Sequence, residues 1–206
     1  MDSQIFWNVI EMYNKQTIII QSILLIFIVL AIILSYSKKI NWIAKAALGI
    51  GNLFIGIVFF GLYGVEPIQK YFALPLYLCC GMLFLFDSIK SKDDVLNKPN
   101  RWQSILIILY IAYPFISFAL GNRFPRLVTY LMPCPIISLS IAVYSCYHKK
   151  NKILLVLLTI WGLTGIKSSI FNVYEDVILL VCGIYGIYLI YREYKNNRHL
   201  KMRKKT

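Results

Sequence analysis

The sequence predicts an all-α fold: a polytopic transmembrane helical bundle of about seven spans, with a short interfacial helix at its N-terminal end. Three observations carry this. Of 206 residues, 59% are hydrophobic and 15% charged, against about 45–50% and about 25% in soluble domains. The mean hydropathy is +0.66. The apolar residues fall in long blocks joined by short polar connections, and the formal net charge is +13. Those blocks leave no extended solvated surface, so the basic excess does not point to nucleic acid. Membrane lipid is the expected partner.

The elements follow in order. Residues 1–16 carry Asp2 and Glu11 against Lys15. With no basic leader and no small-residue cleavage site after the next block, a cleavable signal is not expected. Asp2 or Ser3 can cap a helix, on which Ile5, Phe6, Val9, Ile10 and Tyr13 share one face. That helix is expected to lie at the membrane interface, with Phe6 and Trp7 as anchors. A span needs roughly 20 mostly apolar residues, and residues 17–36 contain no charge at all. Further spans are expected at 42–63, 71–86, 104–120, 129–147, 153–166 and 177–191. The third and sixth are short enough to be tilted, kinked or re-entrant, and six spans is the alternative count. Residues 17–191 thus form one integral membrane domain, followed by a basic tail at 192–206. The longest polar connection, 87–103, is rich in turn formers (Asp93-Asp94, Asn97-Lys98-Pro99-Asn100) and too short for a soluble catalytic domain.

Charge sets the expected orientation. With seven spans and the N-terminus outside, the inner segments hold Lys38, Lys39 and Lys45; Lys90, Lys92, Lys98 and Arg101; Lys149, Lys150 and Lys152; and the tail cations Arg192, Lys195, Arg198, Lys201, Arg203, Lys204 and Lys205. That is seventeen of the 22 Lys and Arg residues. Lys15, Lys70, Arg123, Arg126 and Lys167 remain outside. Positive loops stay cytoplasmic, so this split favours an odd span count, a plasma-membrane location and a cytoplasmic C-terminus. The tail is either a topology determinant or a contact for anionic lipid.

Chemical motifs are scarce. Cys79, Cys80, Cys134, Cys146 and Cys182 form no CxxC pair and read as small packed thiols. His148 and His199 lie among lysines. Serine-hydrolase, zinc-protease, phosphate-loop and dinucleotide motifs are absent, as is a lysine in the seventh span for a retinal Schiff base. No metal, cofactor or catalytic residue is therefore expected, and an intramembrane enzyme using Cys134 would lack a nearby histidine base. Packing signals are stronger. Cys134, Ser138, Ala142 and Cys146 recur every four residues, and Gly49, Gly51, Gly56, Gly61, Gly183 and Gly186 allow close helix approach. Parallels such as Tyr36-Ser37-Lys38-Lys39 with Tyr147-His148-Lys149-Lys150 suggest a 3+1+3 repeat, or chance similarity between apolar segments.

Polar and irregular residues gather on the expected outer side: Glu66, Arg123, Arg126, Cys134, Lys167, Glu175 and Asp176. Pro133 and Pro135 disrupt a helix except in its first turn, so an irregular outer end is expected for the fifth span. Irregular backbone at membrane depth needs protein or water to satisfy it. The cluster is either an outward-open polar pocket or a set of interfacial ion pairs.

Phe6, Tyr13-Asn14 and Gln21, then Pro67-Ile68, Gly121-Asn122-Arg123-Phe124-Pro125, Pro133-Cys134-Pro135, Gly162, Gly165 and Asp176 together resemble an uncharacterised family of small, mainly bacterial multi-pass membrane proteins, known only as a domain of unknown function. Asn122 stands where that family's pattern has histidine, and Ile18-Ile19 where it has Trp-Pro. The resemblance implies the bundle architecture and draws attention to the outer cluster; it implies no activity. Function divides between a small transporter or channel-like protein with an outward-facing site for a small molecule or ion, and a non-catalytic assembly partner or envelope sensor. Sparse charge at the span centres favours the second.

Overall fold

A computed structural model describes residues 3–37, 40–169 and 173–203, with side chains for 4–37, 40–168 and 173–195. The described residues form seven α-helices and no strand. They are α1 (Ser3–Tyr36), α2 (Ile43–Phe54), α3 (Leu74–Lys90), α4 (Arg101–Ala119), α5 (Pro133–Ser145), α6 (Lys152–Leu163) and α7 (Val177–Arg203). A π-helical stretch, Ile55–Leu62, prolongs α2, and another, Gln69–Ala73, leads into α3. Tight 3-10 turns end α6 (Thr164–Ser169) and precede α7 (Tyr174–Asp176).

Five helical segments are long and apolar enough to cross a membrane: Gln4–Tyr36, Ile43–Leu62, Gln69–Lys90, Arg101–Ala119 and Tyr174–Lys195. The third expected span is therefore full length. The fifth and sixth are the short ones, with 13 and 12 residues in α5 and α6. At 1.5 Å per residue they reach about 20 Å, short of the roughly 30 Å of hydrocarbon. The reason lies at their ends. Pro133 and Pro135 sit in the first turn of α5 and fix its start, leaving 129–132 outside the helix, and α6 tightens after Leu163. The irregular outer end expected for the fifth span is thus the non-helical stretch 129–132.

The N-terminal expectation also needs correction. No break separates 1–16 from the first span, because α1 runs unbroken from Ser3 to Tyr36. Neither proline nor glycine interrupts it, and its first turns are covered by the 122–131 loop. Tyr13 donates to the Leu131 carbonyl (2.6 Å), and Asn14 donates to Pro125 (2.7 Å) and Leu127 (2.8 Å). Asp2, Lys38 and Lys39 lie outside the described residues. α7 continues into the basic 192–206 tail as far as Arg203; the tail's side chains beyond Lys195 lie outside the described residues.

α5 is the centre of the bundle. Every residue on it except Cys134 is buried, and a helix that is apolar all round needs cover on all sides. Helices α2/α3 and α6/α7 pair tightly around it. A Cβ on Gly81 would stand 2.9 Å from the Gly49 carbonyl oxygen, and one on Gly183 would stand 2.5 Å from the Gly162 carbonyl carbon. Outward faces are strongly apolar: on α1 alone Ile19, Ile20, Ile23, Ile26, Leu30 and Ile33 are exposed. Such a continuous apolar face is too large for a water-facing monomer.

The two ends of the bundle differ. At the end where α2 and α6 begin, Lys45, 0% exposed, places Nζ 3.0 Å from Asp87 Oδ2 and 2.9 Å from Asp94 Oδ2. Its ammonium lies 4.4 Å above the Tyr147 ring, while Tyr144 donates to Asp87 Oδ2 (3.0 Å). This buried group gathers α2, α3, the 91–100 connection and the C-terminal end of α5. The charge count placed Lys45 among the inner-side cations; its setting among Ala44, Ala46, Ala47 and Gly49 is the sign in the sequence that it packs inward.

Candidate functional site

The opposite end gathers the start of α1, the π-helical stretches, the N-termini of α5 and α7, and the turn after α6. There Asp176 stands at the mouth of α7. Gly165 lets the turn after α6 press onto it: a Cβ on Gly165 would lie 2.7 Å from the Asp176 carbonyl oxygen. Each carboxylate oxygen of Asp176 meets one donor. The Cys134 thiol donates to Oδ2 (3.1 Å), and the Tyr113 hydroxyl donates to Oδ1 (3.5 Å). Tyr77 pins the start of α5 by donating to the Pro133 carbonyl (2.6 Å). Without its own N–H, Pro135 fits that first turn, which leaves Cys134 facing α7.

Asp176 and Cys134 border a cavity of about 280 Å³, whose walls include Phe6, Phe72, Trp161, Val173, Gln69 and Lys167. A smaller adjoining space of about 60 Å³ shares Phe6, Cys134, Trp161, Val173 and Asp176 and reaches Pro133 and Pro135. Lys167 and Ile68 are exposed, so the larger space opens to the surroundings. Three aromatic side chains, Phe6, Phe72 and Trp161, stand among its mixed apolar and polar walls, and Trp161 belongs to a ring cluster. Trp161 meets Tyr77 (5.0 Å), Phe60 (5.6 Å) and Phe72 (6.4 Å, stacked). The π-helical stretch Gln69–Ala73 contributes to these walls, and Ile55–Leu62 lines the smaller adjoining space through Phe59 and Phe60, a common use of that geometry. The Trp161 indole N–H is buried beside the Cys134 thiol.

The sequence-selected cluster divides. Cys134, Asp176 and Lys167 share the large cavity. Glu175, 1% exposed, is adjacent but turned toward the loop after α4, where Asn122 donates to Oε1 (3.4 Å). Arg126 pairs instead with Glu11 (2.8 Å) on the exposed side of α1. Arg123 lies 3.7 Å over the Phe118 ring and donates to the Phe118 carbonyl (2.7 Å). Glu66 starts the helical turns before α3, its carbonyl accepting from Gln69 N–H (3.0 Å), and it does not line the cavity. The motif residues Tyr13, Asn14 and Gln21 brace the 122–131 loop, with Thr129 donating to Gln21 Oε1 (2.7 Å). Gly121 turns into that loop at φ +97°, and Pro125 follows a cis peptide bond. Pro67 stands at the surface beside Gln69.

Sequence reasoning missed the wall residues Phe72 and Trp161, which read as ordinary span residues. It also missed Tyr113, which meets Asp176 only through the α4–α7 contact. Among the described residues no three His, Cys, Asp or Glu side chains converge as a metal centre requires.

The family model described as "Family of unknown function (DUF6064)" matches residues 3–201. No curated protein matches the chain, and no solved structure does. With a match over nearly its whole length, the chain belongs to that family.

Proposed function

We propose that this member of DUF6064 is a multi-pass membrane protein that binds a small solute in the Asp176 cavity and moves it across the membrane as a small transporter. The observation that carries the reading is a surface-open space bordered by Phe6, Phe72 and Trp161, with one carboxylate, Asp176, and one ammonium, Lys167, among its lining residues. Binding sites for small molecules combine apolar walls with a few convergent polar groups in this way. Asp176 beside Trp161, Phe72 and Phe6 suits a basic or quaternary nitrogen on an apolar body, since ring faces attract cations. The seventeen-to-five distribution of cations supports a cytoplasmic location for the Lys45 end and an outward location for the cavity.

A second reading keeps the binding and drops the transport: a membrane sensor or assembly partner that senses a ligand. Its support is α5, buried along its length beneath the cavity with Ile137, Ile141 and Tyr144 filling the centre. The test uses 1-methyl-4-phenylpyridinium with protein in sealed vesicles, following quenching of Trp161 and accumulation of the cation. Binding is expected to weaken about tenfold in Asp176→Asn, as for loss of a charged contact, and 4-phenylbenzoate is expected not to compete. Binding with accumulation supports the transporter, and binding without it supports the sensor. Quenching that is absent, or equal in Asp176→Asn and the native chain, refutes the site.

A further inference from the structure

At the Lys45 end a second cavity, of about 390 Å³, opens between the start of α4, the end of α5 and α7. Its walls carry Lys98, Lys150 and Arg192 against one carboxylate, Glu193, and include His148. Lys150 is a built part of this wall: its side chain is only 2% exposed. It donates to the Tyr147 carbonyl (2.6 Å) and faces Glu193 Oε1 at 3.4 Å, which engages two of its three N–H donors. Lys98 and Arg192 have no hydrogen bond or ion pair among the described residues. Two neutral donors are already used on the floor: Gln103 donates to Ser145 O (3.0 Å), and Asn97 to Cys146 O (3.3 Å). Asp94 also lies near, but it is held by Lys45. The cavity therefore offers a net charge of +2, with three cations supplied by three different elements.

From this we infer that the cavity at the basic end binds a phosphate group. A tetrahedral anion with several acceptor oxygens can be shared among convergent cations, and guanidinium and ammonium groups are its usual partners. The level fits a lipid headgroup. Arg192 is the first basic residue after the apolar run of α7, and Trp42, Trp102, Tyr191 and Tyr194 are exposed around the same end, as an interfacial aromatic belt would be. The same chemistry would hold a soluble phosphate, so the source is decided by experiment. The inference stands apart from the solute cavity at the other end.

The experiment compares the native chain with Arg192→Gln, Lys98→Gln and, as a control cation outside the cavity, Lys92→Gln. Thermal unfolding in detergent is followed with added phosphatidylglycerol, with added phosphatidylcholine and with millimolar inorganic phosphate, and retained lipid is counted by native mass spectrometry. Phosphatidylglycerol that is retained and stabilising, and about tenfold less retained in Arg192→Gln and Lys98→Gln but not in Lys92→Gln, supports the inference with lipid as the source. Stabilisation by inorganic phosphate that those same two variants abolish supports it with a soluble source. No stabilisation by either anion, or equal effects in all three variants, overturns it.

Discussion

Replacing Lys45 with methionine keeps an unbranched side chain one atom shorter and removes its charge. In the native chain the ammonium is fully buried, within 3.0 Å of Asp87 and 2.9 Å of Asp94. The variant leaves two carboxylates in the same pocket, their side chains 10% and 3% exposed, with no cation between them. Removing one partner of a buried pair costs about 3–5 kcal/mol, because the other charge stays buried and unpaired. For a chain of about this size each kcal/mol moves the midpoint by about 2–4 °C. Lys45→Met is therefore expected to melt roughly 6–20 °C lower, read by tryptophan fluorescence in detergent. Adding Asp87→Asn and Asp94→Asn to the same chain removes the stranded charge and is expected to restore more than half of the loss. If Lys45→Met melts within about 2 °C of the native protein, or if the added amides lower the midpoint further, the buried ion group does not hold this end together.

Other expectations test separate contacts. Gly183→Ala places a methyl group 2.5 Å from the backbone of Gly162 and should cost about 1–3 kcal/mol in unfolding stability; Gly61→Ala, with nothing nearer than 3.5 Å, should cost distinctly less. Tyr13→Phe leaves the buried Leu131 carbonyl without its 2.6 Å donor and should lower stability by about 1–3 kcal/mol, with faster proteolysis of the 122–131 loop. Burial depresses the Lys150 pKa below its ordinary 10.5, while Glu193 opposes that shift and Arg192 adds to it. The unfolded chain then binds the extra proton between the depressed value and 10.5, so stability rises with pH across that window. Lys150→Met should flatten this part of the pH–stability curve when no phosphate-bearing ligand is present; an unchanged slope would assign it to other groups.

Much of the architecture was legible because hydrophobic block length reports helix number and charge spacing reports which ends of the helices lie together. Contacts such as Cys134–Asp176, Tyr13–Leu131 and Arg126–Glu11 all join residues that the spacing had assigned to one end. The interfacial helix was not legible correctly. The polar residues at 11–16 look like a boundary, yet a helix stops only where its backbone is broken or its face is uncovered, and the 122–131 loop covers it. Block length also overstated α5, since Leu131 and Met132 are buried without being helical.

The candidate site was legible in part. Cys134, Lys167 and Asp176 stood out as polar groups at the ends of apolar blocks, a pattern that composition alone reveals. Whether they face one space depends on how α5, α7 and the turn after α6 are rotated about their axes, and glycine contacts at Gly162, Gly165 and Gly183 set that rotation. The sequence by itself determined the helical class and the unequal charge of the two ends. Only the tertiary structure decided that Lys45 is buried between two aspartates, that Arg126 leaves the cluster for Glu11, and that aromatic side chains wall a cavity beside Asp176. The physical reason is that hydrophobicity and charge are properties of single residues along the chain. Pairing and enclosure are properties of side chains that packing brings together from distant positions.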